Sequence, residues 1–412
     1  MRIDSSTRKV SLDIRDPDFY NDPYPYYQQL RKSCPMFFWE EHSLWTFSRH
    51  EDVLALFRDR RLGRKIDPQS IPACRRPKPE SSATKPFFDI DRLSMLAQEP
   101  PTHTRLRGLV QKAFMARAVE QLRPRIEQIS QDLVDRMVDQ MIGAGQCDLL
   151  KAFATPLPVT VIAEMLGVPT EMTDNLLAWS HAMVKMYEME RTEQMELGAV
   201  AASREFVAYL RQLVTDRRKN PSDDLISRLV EVEEAGEKLT EDELIANCIL
   251  LLNAGHEATV NLIGNGMYAL LKHKDQIQRW RADSSLTETA VEELLRYDTP
   301  LHQFNRWVLQ PFEFRGQQFE VGQEIAMLLG SANRDGDVFD SPSALELDRK
   351  KNPHVSLGGG IHYCLGAPLA RLELSIAFKV LIQRLPEMEL VEEPRYCNSF
   401  HFHGLESLIV RG

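Results

Sequence analysis

Four of the chain's 20 glycines surround a single cysteine. The segment "SLGGGIHYCLGAPLAR", residues 356–371, holds Cys364 and runs without a break into a helical pattern. Glycine permits unusual backbone angles and lets another group approach the main chain closely. We therefore expect a tight loop around Cys364, folded around something other than protein.

Several kinds of chemistry are open to Cys364. A lone cysteine is commonly a small buried hydrophobe. A structural zinc site needs about four ligands, and although His362 lies two residues away, no second Cys/His pair at zinc-site spacing follows. A nucleophilic cysteine would need a base and an oxyanion site, which the sequence leaves open. A thiolate ligand to iron would be stabilised by the start of the following helix, and the glycines would let a flat macrocycle approach.

A long apolar helix is predicted over residues 240–273. Thr240 and Glu243 have the spacing of a capping box, which marks the start of a helix. The stretch that follows, "LIANCILLLNAGHEATVNLIGNGMYALL", is apolar on nearly every side. Such a helix is expected to run through a core.

The centre of this helix carries an imidazole and a carboxylate, His256 and Glu257. Both groups are costly to bury unless they are hydrated or paired. We therefore expect a cavity from Ala254 to Ala258, where Gly255 removes side-chain bulk. The alternative is that His256 and Glu257 lie on a solvated edge of the helix.

A third candidate is the pair Glu293 and Arg296 in "TETAVEELLRYDTP". Residues three apart share one face of a helix and can form an ion pair. Most such pairs are solvated and contribute less than about 1 kcal/mol. The pair therefore becomes informative only together with other motifs.

Composition limits the class of protein. With 412 residues, 43% of them hydrophobic, the chain can bury a large core. A net charge of -10 argues against general nucleic-acid affinity. Six cysteines without CxxC pairs and the polar start "MRIDSSTRKVSLDI" indicate neither a disulfide framework nor a signal peptide or membrane anchor. We expect a reduced, cytoplasmic protein.

The elements around these motifs form one mainly α domain over residues 1–412, with smaller β-regions. Aromatic runs in "CPMFFWEEHSLWTFSRH" predict a hairpin, and the chain after Pro300 predicts short strands. Residues 64–90, rich in proline, predict a long irregular loop of the kind that often covers a site. Periodicity predicts helices near 104–115, 117–143, 170–187, 193–218 and 240–273.

Taken together, these motifs resemble the cytochrome P450 superfamily of heme-thiolate monooxygenases. The motifs that carry the resemblance, in the family's order, are "EPPTHTRLR", "AGHEA", "EELLR" and "LGGGIHYCLG". The resemblance covers essentially the whole chain. It implies the cytochrome P450 fold, with a long central helix over the heme, and heme b as the cofactor.

The resemblance also assigns roles to residues. It implies Cys364 as the axial iron ligand, and a buried network of Glu293, Arg296 and Arg349 that supports the cysteine loop. Cations that fall where the family holds the heme propionates are His103, Arg107, Arg306 and His362. It places Ala254, Gly255 and Gly366 against the cofactor, and Glu257, Ala258 and Thr259 in the catalytic segment.

The sequence departs from the family pattern at two positions. Leu357 stands where the cysteine loop usually begins with Phe, which puts the reduction potential in doubt. Ala258 stands where an alcohol normally follows the acid, and Thr259 is turned about 100° around the helix. Glu257 can still supply protons. We expect the substrate, or water ordered by it, to replace the missing hydroxyl, as the family's alanine-bearing members imply.

The resemblance implies insertion of one atom of O2 into an apolar small molecule such as a terpenoid, a steroid-like compound or a polyketide. Electrons would come from an external ferredoxin and its reductase, with Lys112, Arg117 and Arg371 as candidate basic contacts. We expect a monomer. The alternatives are a non-catalytic heme-thiolate sensor or carrier, and a peroxide-driven oxidase, which the retained Glu257 disfavours.

Substrate recognition is expected from four stretches. They are the proline-rich loop with Phe87, Phe88 and Leu96, the methionine-rich segment "HAMVKMYEMERTEQMEL", Leu301 to Phe304, and the C-terminal "SFHFHGLESL". A methionine stripe at helical spacing is more often core than pocket. His302, His401 and His403 could orient a polar group of the substrate, although a structural histidine is the commoner case.

Overall fold

A computed structural model of the chain describes residues 1–72, 81–231 and 238–412. Within these ranges the helices, in chain order, are α1 (Pro17–Asn21), α2 (Tyr24–Ser33), α3 (His50–Arg58), α4 (Lys85–Asp91), α5 (Thr102–Gln111), α6 (Ala116–Glu120), α7 (Arg123–Ala144), α8 (Pro156–Leu166), α9 (Thr173–Val184), α10 (Glu193–Lys219), α11 (Leu225–Glu231), α12 (Glu241–Lys272), α13 (Lys274–Ala282), α14 (Thr287–Tyr297), α15 (Leu329–Ala332) and α16 (Ala367–Arg384). The chain is therefore mainly helical, as the sequence predicts.

The strands are short. In chain order they are β1 (Arg2–Asp4), β2 (Lys9–Ser11), β3 (Met36–Trp39), β4 (Leu44–Phe47), β5 (Leu62–Gly63), β6 (Cys147–Asp148), β7 (Gln303–Val308), β8 (Phe312–Phe314), β9 (Gln317–Phe319), β10 (Glu324–Leu328), β11 (Glu389–Leu390) and β12 (Ile409–Arg411). They form a seven-stranded sheet ordered β1-β2-β3-β4-β10-β7-β5, a three-stranded sheet β11-β12-β6 and the hairpin β8-β9.

The backbone contacts divide the chain into two compact units. Unit 1 consists of Met1–Arg75, Pro124–Thr155 and Ala258–Gly412, and it contains all of the strands named above. Unit 2 consists of Arg76–Arg123 and Pro156–Glu257, and its described residues form helices and turns. None of the helices in the described ranges combines the length and the apolar character needed to cross a bilayer.

The core of unit 1 lies against the large sheet. The predicted hairpin is confirmed: β3 pairs antiparallel with β4, with Met36 opposite Phe47, and β4 continues in parallel with β10. Side chains from β4, β10 and α3 pack into one apolar cluster that includes Phe47, Leu56 and Ile325. The strands predicted after Pro300 are confirmed as β7 to β10.

Two predicted elements differ from the structure. The helix predicted over 117–143 is divided into α6 and α7, because Pro124 has no backbone N–H to donate to the preceding turn and is tolerated only in the first turn of a helix, where it lies in α7. The loop predicted over 64–90 ends in helix α4 rather than in irregular chain. Its residues 73–80, which include Cys74, lie outside the described residues.

Candidate functional site

The cysteine loop, residues 355–366 of unit 1, is closed by its own backbone. The amide of Cys364 donates to the carbonyl of Leu357 at 3.0 Å, and the amide of Gly358 donates to that of Val355 at 2.8 Å. Gly366 is the N-cap of α16, so Cys364 lies just before the positive end of an 18-residue helix. This position favours a thiolate over a thiol.

The glycines of the loop serve two purposes. Gly358 and Gly360 have φ of +71° and +67°, which side chains rarely tolerate. A Cβ on Gly360 would lie 2.2 Å from the carbonyl oxygen of Phe57 in α3, so this glycine is needed for packing against protein. The missing side chain at Gly360 therefore reflects packing against protein and does not by itself indicate a bound group. At Gly366, by contrast, a Cβ would meet nothing within 4 Å.

Cys364 is not a buried hydrophobe. The described cysteines Cys34, Cys147 and Cys248 are buried, whereas Cys364 and Cys397 are half-buried. The described residues contain two groups of side chains that could hold a metal through His, Cys, Asp or Glu, and neither includes Cys364. The zinc alternative for Cys364 therefore finds no support in the described part of the chain.

The Glu293–Arg296 pair is fully buried, which contradicts the surface alternative. Both side chains have 0% exposure, and Arg296 Nη2 lies 2.7 Å from Glu293 Oε1. Arg349 Nε donates to Glu293 Oε2 at 3.0 Å, so the predicted third member is confirmed. Arg296 also donates to three backbone carbonyls, those of residues Asn333, Pro342 and Ala344.

This network continues into the start of the cysteine loop. Asn333, whose carbonyl accepts from Arg296, donates through its side chain to Ser356 Oγ at 2.7 Å and accepts from the amide of Val355 at 2.8 Å. Ser356 Oγ then donates to the carbonyl of Leu295 in α14, also at 2.7 Å. The buried pair and the loop therefore belong to one hydrogen-bonded assembly, as predicted.

A second acid of α14 contacts one residue before the cysteine loop and one residue after it. Glu292 accepts from Arg371 Nε at 2.6 Å and from Arg371 Nη2 at 2.9 Å, and it contacts His354 Nε2 at 3.1 Å. These partners lower the pKa of Glu292 to about 2, although burial opposes the shift. Arg371, predicted as a basic contact for a redox protein, is thus bound by Glu292. The other two predicted contacts, Lys112 and Arg117, are exposed.

The acid segment of unit 2 lies in the middle of α12. The capping box is confirmed, because the backbone amide of Glu243 donates to Thr240 Oγ1 at 3.2 Å and that of Thr240 to Glu243 Oε2 at 2.9 Å. Farther along, Asn253 is buried but Ala254 is exposed and Gly255 is half-exposed. The helix has an open surface at the position where the sequence predicts a cavity.

His256 and Glu257 differ in their surroundings. His256 is fully buried, and burial, helped by the nearby His181, lowers its pKa to about 3. Its Nδ1 lies 3.3 Å from Ser180 Oγ. Glu257 is 12% exposed, and burial raises its pKa to about 7. The solvated-edge alternative therefore fails for His256, and Glu257 can gain or lose a proton near neutral pH.

His181 of α9 completes this group, and sequence reasoning missed it as a partner of Glu257. Its Nε2 lies 3.3 Å from Glu257 Oε1, and its side chain is 52% exposed. Burial, together with Lys185, lowers the pKa of His181. The two residues are 76 positions apart in sequence, and no local pattern connects them.

The predicted propionate cations lie on one helix, one strand and one turn. In unit 2, His103 and Arg107 are one turn apart on α5, so they share a face of that helix. In unit 1, Arg306 of β7 lies over the rings of Phe57 and Phe304 at 5.4 and 5.6 Å. His362 ends the short 3-10 turn Gly360–His362 in the cysteine loop.

Two of the histidines proposed for substrate contact are structural. His302 Nδ1 lies 2.9 Å from the hydroxyl of Tyr27, and His403 Nε2 lies 3.4 Å from Asp298. Both rings are buried. His401 is half-buried, and burial with Arg64 lowers its pKa to about 4. In the methionine-rich segment Met183 and Met186 are buried, which agrees with a core role.

The cysteine loop and the acid segment each have a feature that fits a heme-thiolate centre. In unit 1 a half-buried cysteine stands before a helix N-terminus, beside a glycine with open space around its missing Cβ. In unit 2 the largely buried stretch of α12 over residues 244–253 is followed by the exposed Ala254, three residues before an acid with a raised pKa. Small residues at both places allow a flat macrocycle to approach the backbone.

Comparison with known proteins agrees with this chemistry. The family model for cytochrome P450 matches residues 74–405. The chain is 40% identical over 414 residues to the polyketide biosynthesis cytochrome P450 PksS of Bacillus subtilis (strain 168), covering 98% of each chain. It is 38% identical over 413 residues to the cytochrome P450 monooxygenase PikC of Streptomyces venezuelae, covering 98% of this chain and 94% of that protein.

Among solved structures, P450BioI in complex with hexadec-9Z-enoic acid ligated acyl carrier protein is similar, with a TM-score of 0.88 and 34% identity. The match covers 96% of this chain and 100% of that chain. Sequence motifs, the buried network and these relatives lead to the same assignment. The chain belongs to the cytochrome P450 family, whose members are heme-thiolate monooxygenases.

Proposed function

We propose that this monooxygenase inserts one oxygen atom into a polyketide or a closely related apolar acyl chain, with Cys364 as the thiolate ligand of its heme. The observation that carries the proposal is the cysteine loop, where a half-buried Cys364 precedes α16 and is tied to the buried Glu293 network. When bound, the heme supplies dioxygen activation, and a thiolate ligand favours O–O cleavage.

Four cations are proposed to hold the two propionates of the heme. They are His103, Arg107, Arg306 and His362. Charge-assisted hydrogen bonds to carboxylates are about twice as strong as neutral ones, so a set of cations suits this task. Ala254, Gly255 and Gly366 are proposed to lie against the macrocycle, since small residues leave room for it.

Glu257 is proposed to deliver protons to the reacting oxygen. Its pKa of about 7 suits this role, because a general acid is most effective when its pKa lies near the working pH. Ala258 offers no hydroxyl, and Thr259 is buried. We infer that an oxygen function of the substrate, or water ordered by it, replaces the missing alcohol. This favours a substrate with a hydroxyl or carbonyl near the reacting carbon.

The names of two relatives support the proposed substrate class. PksS is named for polyketide biosynthesis, and P450BioI was crystallised with an acyl carrier protein that carries a 16-carbon acyl chain. Polyketides combine long apolar segments with oxygen functions, so they agree with the reasoning from Ala258. Electrons are proposed to come from a small ferredoxin, with the exposed Lys112 and Arg117 among its contacts.

The test of the thiolate assignment compares two cysteines. Cys364 and Cys397 are the half-buried cysteines among the described residues, so Cys397→Ser is a matched control for Cys364→Ser. We expect the reduced, carbon monoxide-treated wild type and Cys397→Ser to show the strongly red-shifted Soret band of a thiolate-ligated heme. Cys364→Ser should lack it. Retention of that band in Cys364→Ser would refute the assignment.

The substrate class has a separate test. Oxidised holoenzyme is titrated with a macrolactone, a linear polyketide acid, a steroid and a terpenoid, and displacement of iron-bound water is followed by the blue shift of the Soret band. We expect the two polyketides to bind at the lowest concentrations. Tighter binding of the steroid or the terpenoid would reject the polyketide class while leaving the monooxygenase chemistry unchanged.

A further inference from the structure

Three ionisable side chains of α9 and α12 lie close together in unit 2. His181 Nε2 and His256 Nδ1 lie 3.3 Å and 4.0 Å from the same atom, Glu257 Oε1. The two imidazole rings are 5.2 Å apart. The group therefore brings two possible proton carriers to the acid that the proposed function makes responsible for proton delivery.

Only one of the two histidines reaches water. The side chain of His181 is 52% exposed, whereas that of His256 has 0% exposure. His256 also has a pKa of about 3, so it remains neutral at physiological pH and does not pick up protons from solvent. Among these three residues, His181 is the member that contacts both solvent and Glu257.

We propose that His181 carries protons from solvent to Glu257 during turnover. This inference rests on the proposed function, in which Glu257 supplies the protons of the reaction. The imidazole accepts a proton from water at Nδ1 and releases the proton on Nε2 to Oε1 of Glu257. A rotation of the ring, or the reverse pair of exchanges with water, restores the starting tautomer.

The proton count agrees with the monooxygenase reaction. Inserting one oxygen atom of O2 and reducing the other to water consumes two electrons and two protons. The external redox partner supplies the electrons, and the His181–Glu257 pair supplies the protons one at a time. Neither residue is changed after a complete turnover, so the relay needs no further co-reactant.

The electrostatic surroundings favour transfer in this direction. Burial raises the pKa of Glu257 to about 7, while burial and the nearby Lys185 lower the pKa of His181. A protonated His181 therefore releases its proton readily to a charged Glu257. Lys185 directly follows α9 and is exposed, and His256 is neutral, so His256 does not compete for the proton.

The test separates proton transfer from simple positioning. In His181→Gln the amide can keep a polar contact with Glu257, but it cannot be protonated at neutral pH. His181→Ala removes both functions, Glu257→Gln removes the acid, and His42→Gln is the control on a half-exposed histidine of unit 1. Each holoenzyme is supplied with NADPH, a surrogate ferredoxin and reductase, and free hexadec-9Z-enoic acid as the probe.

Two quantities are measured between about pH 6 and pH 9. The first is the rate of oxygen consumption in H2O and D2O, together with the share of oxygen returned as hydrogen peroxide. The second is the titration of His181, followed by NMR with labelled histidine. Because general acid–base groups contribute roughly 100-fold or more, we expect His181→Gln and His181→Ala to slow oxygen use at least tenfold, with a larger peroxide share.

The NMR titration supplies a readout that does not depend on turnover. Because the pKa of Glu257 is about 7 and that of His181 is lowered, the His181 resonances of the wild type should show a step near pH 7, where the neighbouring Glu257 loses its proton, and Glu257→Gln should abolish this step. An unchanged His181 titration in Glu257→Gln would show that the two groups do not exchange charge, which overturns the relay.

The outcomes distinguish the inference from the proposed function. If Glu257→Gln slows oxygen use but His181→Gln matches the wild type, the relay is wrong and the role of Glu257 stands. If Glu257→Gln itself matches the wild type, the proposed proton delivery by Glu257 fails, and the relay fails with it. Equal losses in His181→Gln and His42→Gln would also overturn the relay, because the effect would not be specific.

Discussion

Adjacent acids of α14 should differ several-fold in their contribution to stability. Glu293 has 0% exposure and accepts hydrogen bonds from two guanidinium groups, whereas Glu292 is 29% exposed and binds Arg371 and His354. We compare Glu293→Gln with Glu292→Gln, a matched pair with the same chemical change one residue apart.

The expected magnitudes follow from burial. Glu293→Gln leaves Arg296 and Arg349, which are 0% and 6% exposed, without their shared anion. Removing one partner of a buried ion pair costs about 3–5 kcal/mol. Glu292→Gln disrupts a partly exposed ion pair, so we expect it to lower the free energy of unfolding by about 1–2 kcal/mol. Since domains are stable by about 5–15 kcal/mol, Glu293→Gln should remove roughly a fifth or more of the free energy of unfolding.

The assay is urea denaturation of the two variants and the wild type, followed by heme absorbance and by tryptophan fluorescence. We expect the midpoint of Glu293→Gln to fall by about 1 M or more, with a lower yield of holoprotein, and that of Glu292→Gln to fall by a fraction of this. Equal midpoints for the two variants would refute the reasoning, because they would mean that burial of Glu293 adds nothing to its cost.

Four further substitutions test the glycines and the acid segment. Gly360→Ala should lower the free energy of unfolding by about 3 kcal/mol or prevent folding, because its Cβ would lie 2.2 Å from the Phe57 carbonyl. Gly366→Ala, whose Cβ would meet nothing within 4 Å, should change that free energy by less than about 1 kcal/mol. Thermal unfolding of the heme-free protein measures both. Burial raises the pKa of Glu257 from 4.5 to about 7, so the stability that its protonated form contributes is fully present below about pH 4.5 and is lost as the pH rises through 7. In urea unfolding, the stability of Glu257→Gln relative to the wild type should therefore rise by about 2–3 kcal/mol between pH 4.5 and pH 8. A difference in stability that stays constant with pH would contradict this. Ala258→Thr should raise the product formed per NADPH for a substrate analogue that lacks the oxygen near its reacting carbon, and should lower it for the oxygenated parent, since overpacking costs about 1–3 kcal/mol; unchanged ratios for both would exclude substrate-assisted proton delivery.

Sequence patterns predicted helices and strands correctly where interactions between neighbouring residues determine them. The Thr240–Glu243 capping box and the aromatic hairpin of β3 and β4 depend on neighbouring residues, and both are confirmed. The break between α6 and α7 follows from Pro124, a signal that the sequence contains but that periodicity alone passes over.

Burial could not be predicted from spacing. An acid and a base three residues apart are compatible with a solvated or a buried pair, and the difference lies in distant carbonyls such as those of Asn333 and Ala344. The resemblance to the cytochrome P450 family, rather than the pattern itself, made the buried network of Glu293 an expectation. Likewise, the need for glycine at Gly360 arises from Phe57, about 300 residues earlier in the chain.

His181 shows the same limit in the acid segment. Its contact with Glu257 depends on how α9 packs against α12 within unit 2, and periodicity assigns the segment only a methionine-rich face. An exposed histidine on a helix has no sequence signature that names its partner. Only coordinates reveal that an exposed imidazole and a buried acid share one contact.

The network around Arg296 also determines when the protein can finish folding as it is synthesised. The carbonyls that accept from Arg296 belong to residues 333, 342 and 344, and Arg349 and the cysteine loop come later still. While the chain emerges from the ribosome, Glu293 and Arg296 have no buried setting and must stay hydrated. The thiolate loop can therefore reach its final arrangement only after residues well beyond Glu293 and Arg296 have been made, which delays cofactor capture relative to the synthesis of α14.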